Sequence, residues 1–243
     1  MRNVVVTGAS RGIGLSIAKK LAASGYAVIA VARKRTDQLD AASAEAEKNG
    51  GAIRFVPFDL AEIDKMQGFV AGLRKSYGNI YGLVNNAGIG TEGQLSLMPN
   101  VKIAELVHIN TVAPIVLTKY VVRGMMAGGG GRVVNVASIV AFTGYSGLSV
   151  YSATKASLIG FTRSLAREVG RMGVNVNAIA PGFLETEMTG GMTEDQRAKV
   201  ARRSALQRLP AVDDVSKAVT FLLGDGGDSI TGTVLTIDAG TTA

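Results

Sequence analysis

The sequence predicts an α/β protein, a single doubly wound domain whose mostly parallel, seven-stranded sheet carries helices on both faces. Three observations point there. Short runs of valine, isoleucine and alanine recur along the chain with polar, helix-patterned stretches between them, the alternation of a doubly wound sheet. The runs are continuously apolar rather than alternating, which marks strands buried on both faces. The first run, residues 4–6, passes through Gly8, Gly12 and Gly14 straight into a helical pattern of Ile13, Ile17, Ala18 and Leu21.

That first unit is strand, turn, helix. Glycines let a backbone approach a bulky anion where a Cβ would collide, and a helix starting at such a turn aims unpaired N–H groups at a phosphate. A dinucleotide fits, although the spacing is Gly-x-x-x-Gly-x-Gly rather than the generic Gly-x-Gly-x-x-Gly. A tight turn of purely structural purpose would favour glycine as well.

Gly25 stops the first helix, and residues 27–32 (Ala-Val-Ile-Ala-Val-Ala) read as a second buried strand. Sites for NAD place an acid near the end of this strand for the ribose 2′-hydroxyl, whereas an arginine there suits a 2′-phosphate. The chain reads Ala32-Arg33-Lys34-Arg35 with no carboxylate before Asp37. Arg33, with Arg11 of the glycine turn as a second guanidinium, therefore points to NADP(H). A charged loop with no ligand is the other reading of the same residues.

A polar helix over 36–49, a Gly50-Gly51 break and a third strand over 53–58 follow. Asp59 and Leu60 then stand at the C-terminal end of that strand, where open α/β sheets keep their ligands. A third helix is expected over 63–77, and a fourth strand beginning at Gly82 and ending in Asn85-Asn86-Ala87-Gly88. Residues 101–126 read as one long helix interrupted at Pro114. Asn110 sits in its middle, poorly suited by propensity, and a solvent-facing side chain would explain it as well. A four-glycine loop over 128–131, strands over 132–137 and 174–180, and a helix over 212–223 complete the alternation.

The totals narrow the function. With 243 residues and 47% hydrophobic side chains the chain reads as one domain, residues 1–243, with ample core. It has no cysteine, which excludes disulfides and thiolate metal sites, and its one histidine, His108, reads as a packed helix residue; no metal is expected. No secretory segment and no apolar run of about 20 residues is evident, so a cytoplasmic protein without membrane contact is expected. A formal charge of +7 favours acidic partners, and a solvated basic surface fits it equally. Aromatics at 5% leave no stacking surface for nucleic acid.

Ser138 ends the fifth strand, and Tyr151-Ser152-Ala153-Thr154-Lys155 opens a helix. Tyr151 and Lys155 are four apart and share a face. A phenol with a pKa near 10 is a poor acid–base group at neutral pH, and a cation alongside lowers that value. Tyr151 would then hand a proton to a carbonyl oxygen as hydride reaches its carbon, with Ser138 hydrogen-bonding the same oxygen. Two solvated side chains account for the pair alone just as well.

The Thr7-Gly8-x-x-x-Gly12-x-Gly14 turn, Asn85-Asn86-Ala87-Gly88, Ser138 and Tyr151-x-x-x-Lys155, in this order along essentially the whole chain, resemble the short-chain dehydrogenase/reductase family. The resemblance implies a Rossmann-type fold and a catalytic set of Asn110, Ser138, Tyr151 and Lys155, with Asn110 in a kinked helix anchoring a relay water. It implies cofactor contacts from Gly8, Ser10, Arg11, Gly12, Ile13, Gly14, Arg33, Asp59, Leu60, Asn86, Ala87 and Gly88. Tyr151, Lys155, Pro181, Gly182 and Thr186 would complete them. It further implies a substrate lid over about 183–210, a last strand within 232–240 and a homotetramer.

Residues 181–189, 194–197 and 164–169 are similar to the 3-oxoacyl-[acyl-carrier-protein] reductases of fatty acid synthesis, which reduce 3-oxoacyl thioesters with NADPH. The chain departs from them at the Ala127-Gly128-Gly129-Gly130 loop and at Met172, where those enzymes carry basic residues, and after Gly88. Arg197, Lys199, Arg202, Arg203 and Arg208 form another basic cluster, expected either to receive an acidic acyl carrier protein or to be a solvated helix face. A sugar, polyol or small ketone as substrate, and a silent NADP-binding regulator, stand as alternatives.

Overall fold

The computed structural model describes residues 1–90, 92–184 and 193–243. Its seven strands are β1 (Asn3–Thr7), β2 (Ala27–Ala32), β3 (Ala52–Pro57), β4 (Ile80–Asn85), β5 (Gly131–Val136), β6 (Val174–Pro181) and β7 (Val234–Ile237). They lie in the order β3-β2-β1-β4-β5-β6-β7, and every neighbouring pair is parallel, so the expected mostly parallel sheet is parallel throughout. The chain winds outward from β1 to β3, returns to lay β4 beside β1, and winds outward the other way. The reversal between β1 and β4 opens a crevice at the C-terminal ends of the strands, the place where open sheets bind ligands.

Nine α-helices connect and cover the strands among the described residues: α1 (Gly12–Ala23), α2 (Asp37–Lys48), α3 (Met66–Tyr77), α4 (Asn100–Val107), α5 (Ala113–Ala127), α6 (Val140–Thr143), α7 (Ser149–Val169), α8 (Glu194–Ala201) and α9 (Val212–Leu223). The strand pleat divides the core in two. On one face Val4 and Val6 pack with Ile17, Leu21, Val219 and Leu222; on the other Val5 packs with Leu83, Leu117, Val121 and Val133.

The helix expected over 101–126 is corrected in one respect. It is interrupted not at Pro114 but just before it, in a π-turn over His108–Val112 between α4 and α5. Pro114 lies in the first turn of α5, directly after the π-turn. The extra residue of the π-turn pushes Asn110 into the interior, where it is 1% exposed. His108 is half-buried, with Nε2 3.0 Å from the Ala61 carbonyl oxygen.

The absence of any span-length apolar run is also corrected. By length and composition alone, residues 100–127 form a helical stretch able to cross a bilayer, an 18-residue segment of it averaging a hydropathy of 1.4. In the fold, Leu117, Val121 and Met125 of this stretch pack into the core beside the sheet. The short helix α6, inside the loop that links Ser138 to Tyr151, left no sequence signal; its four residues form a single turn.

Candidate active site

The site begins where the β1 turn meets the end of β4. The Thr7 hydroxyl accepts from the N–H groups of Asn86 and Ala87, both at 3.0 Å, and donates to the Val84 carbonyl at 3.3 Å. The Asn86 side chain returns the contact, donating to the carbonyls of Thr7 at 2.9 Å and Gly8 at 3.3 Å. Gly8 has φ +65°, and a Cβ there would lie 2.9 Å from Cα of Ala87. Asn86 and Ala87 thus lock the turn to the end of β4.

Gly12 and Gly14 play different parts. A Cβ on Gly14 would run into the Gly8 carbonyl, so this glycine lets α1 approach the strand. Gly12 has φ +56° and only open space where its Cβ would be. The first turn of α1 has no side-chain cap, so its N–H groups face that space. A backbone cradle open above Gly12 and lined by uncapped amides fits a pyrophosphate.

The turn is also tied to the end of β2. Thr36 donates to the Ser10 carbonyl at 2.6 Å and caps α2 by accepting from Leu39 N at 3.3 Å. Arg35 pairs with Asp40, while Arg33 stands exposed at the end of β2. No acid lies between Arg33 and Asp37, so the residues present fit a 2′-phosphate better than a 2′-hydroxyl. Asp59, half-buried with Leu60, accepts from Ala61 N at 2.9 Å, on the same rim of the sheet.

The other half of the site is built from buried polar side chains. Asn110 Oδ1 accepts from Ile89 N at 2.9 Å; Nδ2 donates to Ile89 O at 2.8 Å and to Thr154 Oγ1 at 3.2 Å. Both N–H donors of the side chain are therefore taken by protein partners, and Asn110 clamps the loop after β4 onto α7. Thr154, 2% exposed, donates in turn to the Tyr151 carbonyl at 2.7 Å. A second rung runs from Thr111 to Ser157 at 2.9 Å.

Lys155 is 4% exposed, and its Nζ donates to the Val136 carbonyl at 2.9 Å. It lies 5.6 Å from the centre of the Tyr151 ring. A Cβ on Gly88 would be 3.2 Å from Asn110 Oδ1 and 3.4 Å from Lys155 Nζ, so these three converge. Burial pushes the Lys155 ammonium down to about 8 and the Tyr151 phenol up to about 12. From the sequence, a lysine four residues on is expected to lower the phenol. In the protein without cofactor, desolvation of both groups dominates and keeps Tyr151 protonated.

Ser138 Oγ accepts from Val140 N at 3.4 Å, which fixes the start of the loop leading to α7, and Ser152 on α7 donates to the Val140 carbonyl. Pro181 O accepts from Ile139 N at 3.1 Å, and Gly182 N donates to Ile237 O at 2.9 Å. Thr186, expected to contact the cofactor, lies outside the described residues, as does the part of the expected lid over 185–192. Thr7, Asn86 and Thr154 hold the site together more directly than the sequence argument foresaw. Thr7 had a signal in its motif position; Thr154 had none beyond its place beside Lys155.

Such a fold and such a site define an oxidoreductase of the dinucleotide-binding class. The short chain dehydrogenase family profile matches residues 2–197, and the chain belongs to that family. It is 38% identical over 236 residues to the 3-oxoacyl-[acyl-carrier-protein] reductase FabG of Escherichia coli (strain K12), covering 97% of this chain and 95% of that one. A short chain dehydrogenase from Burkholderia cenocepacia J2315, solved in complex with NADP, superimposes with a TM-score of 0.91 at 37% identity, covering 100% of this chain and 98% of that one. A gluconate 5-dehydrogenase from the same organism, solved with NADP and tartrate, gives 0.93 at 28% identity, with 99% and 95% covered. The chain is an NADP-dependent oxidoreductase acting on CH–OH groups.

Proposed function

We propose that the protein, one unit over residues 1–243, reduces 3-oxoacyl thioesters to 3-hydroxyacyl thioesters with NADPH. Full-length similarity to a carrier-protein reductase carries the substrate reading. Bound NADPH supplies a hydride to the substrate's carbonyl carbon. Tyr151, protonated at neutral pH, donates its proton to the carbonyl oxygen as negative charge develops there. Ser138 donates a hydrogen bond to the same oxygen. Lys155 places a cation beside the Tyr151 ring, and Asn110, through Thr154 and Ile89, fixes the helix turn that carries Tyr151.

Gly8, Ser10, Arg11, Gly12, Ile13 and Gly14 hold the pyrophosphate end, and Arg33 the 2′-phosphate. Asp59 and Leu60 meet the adenine; Asn86, Ala87, Gly88, Pro181, Gly182 and Thr186 meet the nicotinamide end. Lys199, Arg202 and Arg203, exposed at the end of α8, receive an acidic carrier. The protein assembles as a homotetramer, supported by the exposed Leu235 on edge strand β7 and the exposed Phe221 on α9.

The likeness to a gluconate dehydrogenase supports one second reading, a polyhydroxylated substrate. The test is NADPH oxidation with an acetoacetyl thioester beside gluconate-type ketones. Thioester turnover abolished by Tyr151→Phe is the expected result; turnover of the polyhydroxy ketone alone would overturn it.

A further inference from the structure

Aromatic residues make up only 5% of the chain, yet three of them, Phe142, Tyr145 and Phe183, lie in the two segments that follow β5 and β6. Phe142 and Tyr145 lie in the loop between Ser138 and Tyr151, and each is 50% exposed. Phe183 follows β6 two residues after Pro181. The Tyr145 and Phe183 rings contact one another, tilted by 58° with centroids 5.5 Å apart. Backbone hydrogen bonds fix the loops that carry them: Ile139 N to Pro181 O at 3.1 Å, Leu148 N to Tyr145 O at 3.1 Å, and Gly93 N to Gly147 O at 3.0 Å.

The Tyr145 and Phe183 rings therefore form a preformed apolar wall, held by main chain and half open to solvent. Tyr145 lies in the segment that runs from Ser138 to Tyr151, and the Ile139–Pro181 hydrogen bond ties the residue after Ser138 to the strand end that leads to Phe183. Large apolar surfaces left exposed at a site mouth mark where a ligand covers them. A hydrocarbon chain gains by covering such a wall, whereas a polyol pressed against it loses hydrogen bonds to water and finds no partners in the ring faces.

We infer that Tyr145 and Phe183 form the subsite for an apolar arm flanking the reacting carbonyl, so that the enzyme selects alkyl-bearing 3-oxo substrates over polyhydroxylated ketones of equal length. The inference rests on the reductase reading above and adds the group that chooses the substrate. Each methylene fully covered is worth up to about fourfold in kcat/KM. A half-open wall gives a smaller step per carbon and no sharp length limit.

The test measures kcat/KM with NADPH for thioesters of 3-oxobutanoate, 3-oxohexanoate and 3-oxooctanoate, for simple methyl ketones of matching length, and for a polyhydroxylated ketone. Wild type is compared with Tyr145→Ala, Phe183→Ala and Tyr145→Phe, with NADPH affinity as the control for folding. The expected result is a several-fold rise with chain length in wild type and in Tyr145→Phe, flattened in both alanine variants. Length dependence that is unchanged in both alanine variants, or absent from both series in wild type, overturns the subsite. Length-dependent turnover of ketones without turnover of any thioester would sink the thioester reading and leave the subsite standing.

Discussion

The two halves of the sheet build their share of the site from different materials. Around β1 and β2 the working surface is backbone: three glycines and an uncapped helix start, with Thr7 and Asn86 bracing the turn from behind. Around β4, β5 and α7 it is side chain: Asn110, Thr154 and Lys155, buried and each hydrogen-bonded, beside the half-buried Tyr151. Backbone recognition of a cofactor needs only clearance and direction, and tolerates solvent. Proton transfer needs desolvated groups with shifted acidities, and a buried polar group is costly unless each neighbour satisfies it.

If the halves are separable in this way, Tyr151→Phe is the sharpest test. It keeps the ring and removes the proton, so kcat falls roughly 10³-fold while NADPH affinity, read by fluorescence, stays within about twofold. A matching collapse in NADPH binding would merge the two halves. Within the cofactor half, Gly14→Ala and Gly12→Ala should part company. Gly14→Ala overpacks the turn and lowers stability by about 1–3 kcal/mol in urea unfolding. Gly12→Ala loses about 1–2 kcal/mol to its left-handed backbone but weakens NADPH binding at least roughly tenfold, because its Cβ enters the space the phosphates need. Equal losses of both kinds would show that the open cradle is not a ligand site.

Thr154→Val probes the catalytic half without touching a reacting group. The expected outcome is a drop in kcat of about tenfold and a displaced pH–rate profile, with KM for NADPH unchanged and Thr154→Ser restoring most of the rate. A uniform loss of stability with an unaltered profile would reduce Thr154 to a packing residue. A further test uses pH. Lys155 ionises near 8 in the folded chain and near 10.5 when unfolded, so between those values the unfolded state holds more protons and stability rises with pH. The gain from pH 7.5 to 9.5 is about 2 kcal/mol and vanishes in Lys155→Met, as read from urea midpoints. Above pH 10 Tyr151 reverses the sign, because its folded phenol keeps a proton that the unfolded one loses.

Legibility in the sequence follows the same division. β2 and α9 fall at their expected bounds, and the glycine turn and the Arg33 position read directly, because each is a local pattern of spacing and composition. In the helix carrying Asn110, Pro114 is the local signal for an interruption, whereas the π-turn that sets its true place depends on what Asn110 finds to bond inside. The acidity of Tyr151 was argued from its neighbour four residues on, and came out reversed because desolvation acts through the whole surrounding shell. The meeting of Tyr145 with Phe183, 38 positions apart, has no trace in either local segment.

By itself the sequence determined the order of strands and helices and the glycine turn between β1 and α1, because periodicity and short-range spacing encode them. The tertiary structure alone decided that the sheet reverses between β1 and β4, that Asn110 clamps the loop after β4 onto α7, and that burial rather than charge governs Tyr151 and Lys155. Those are contacts between segments dozens of residues apart, where only the folded arrangement sets distance and solvent access.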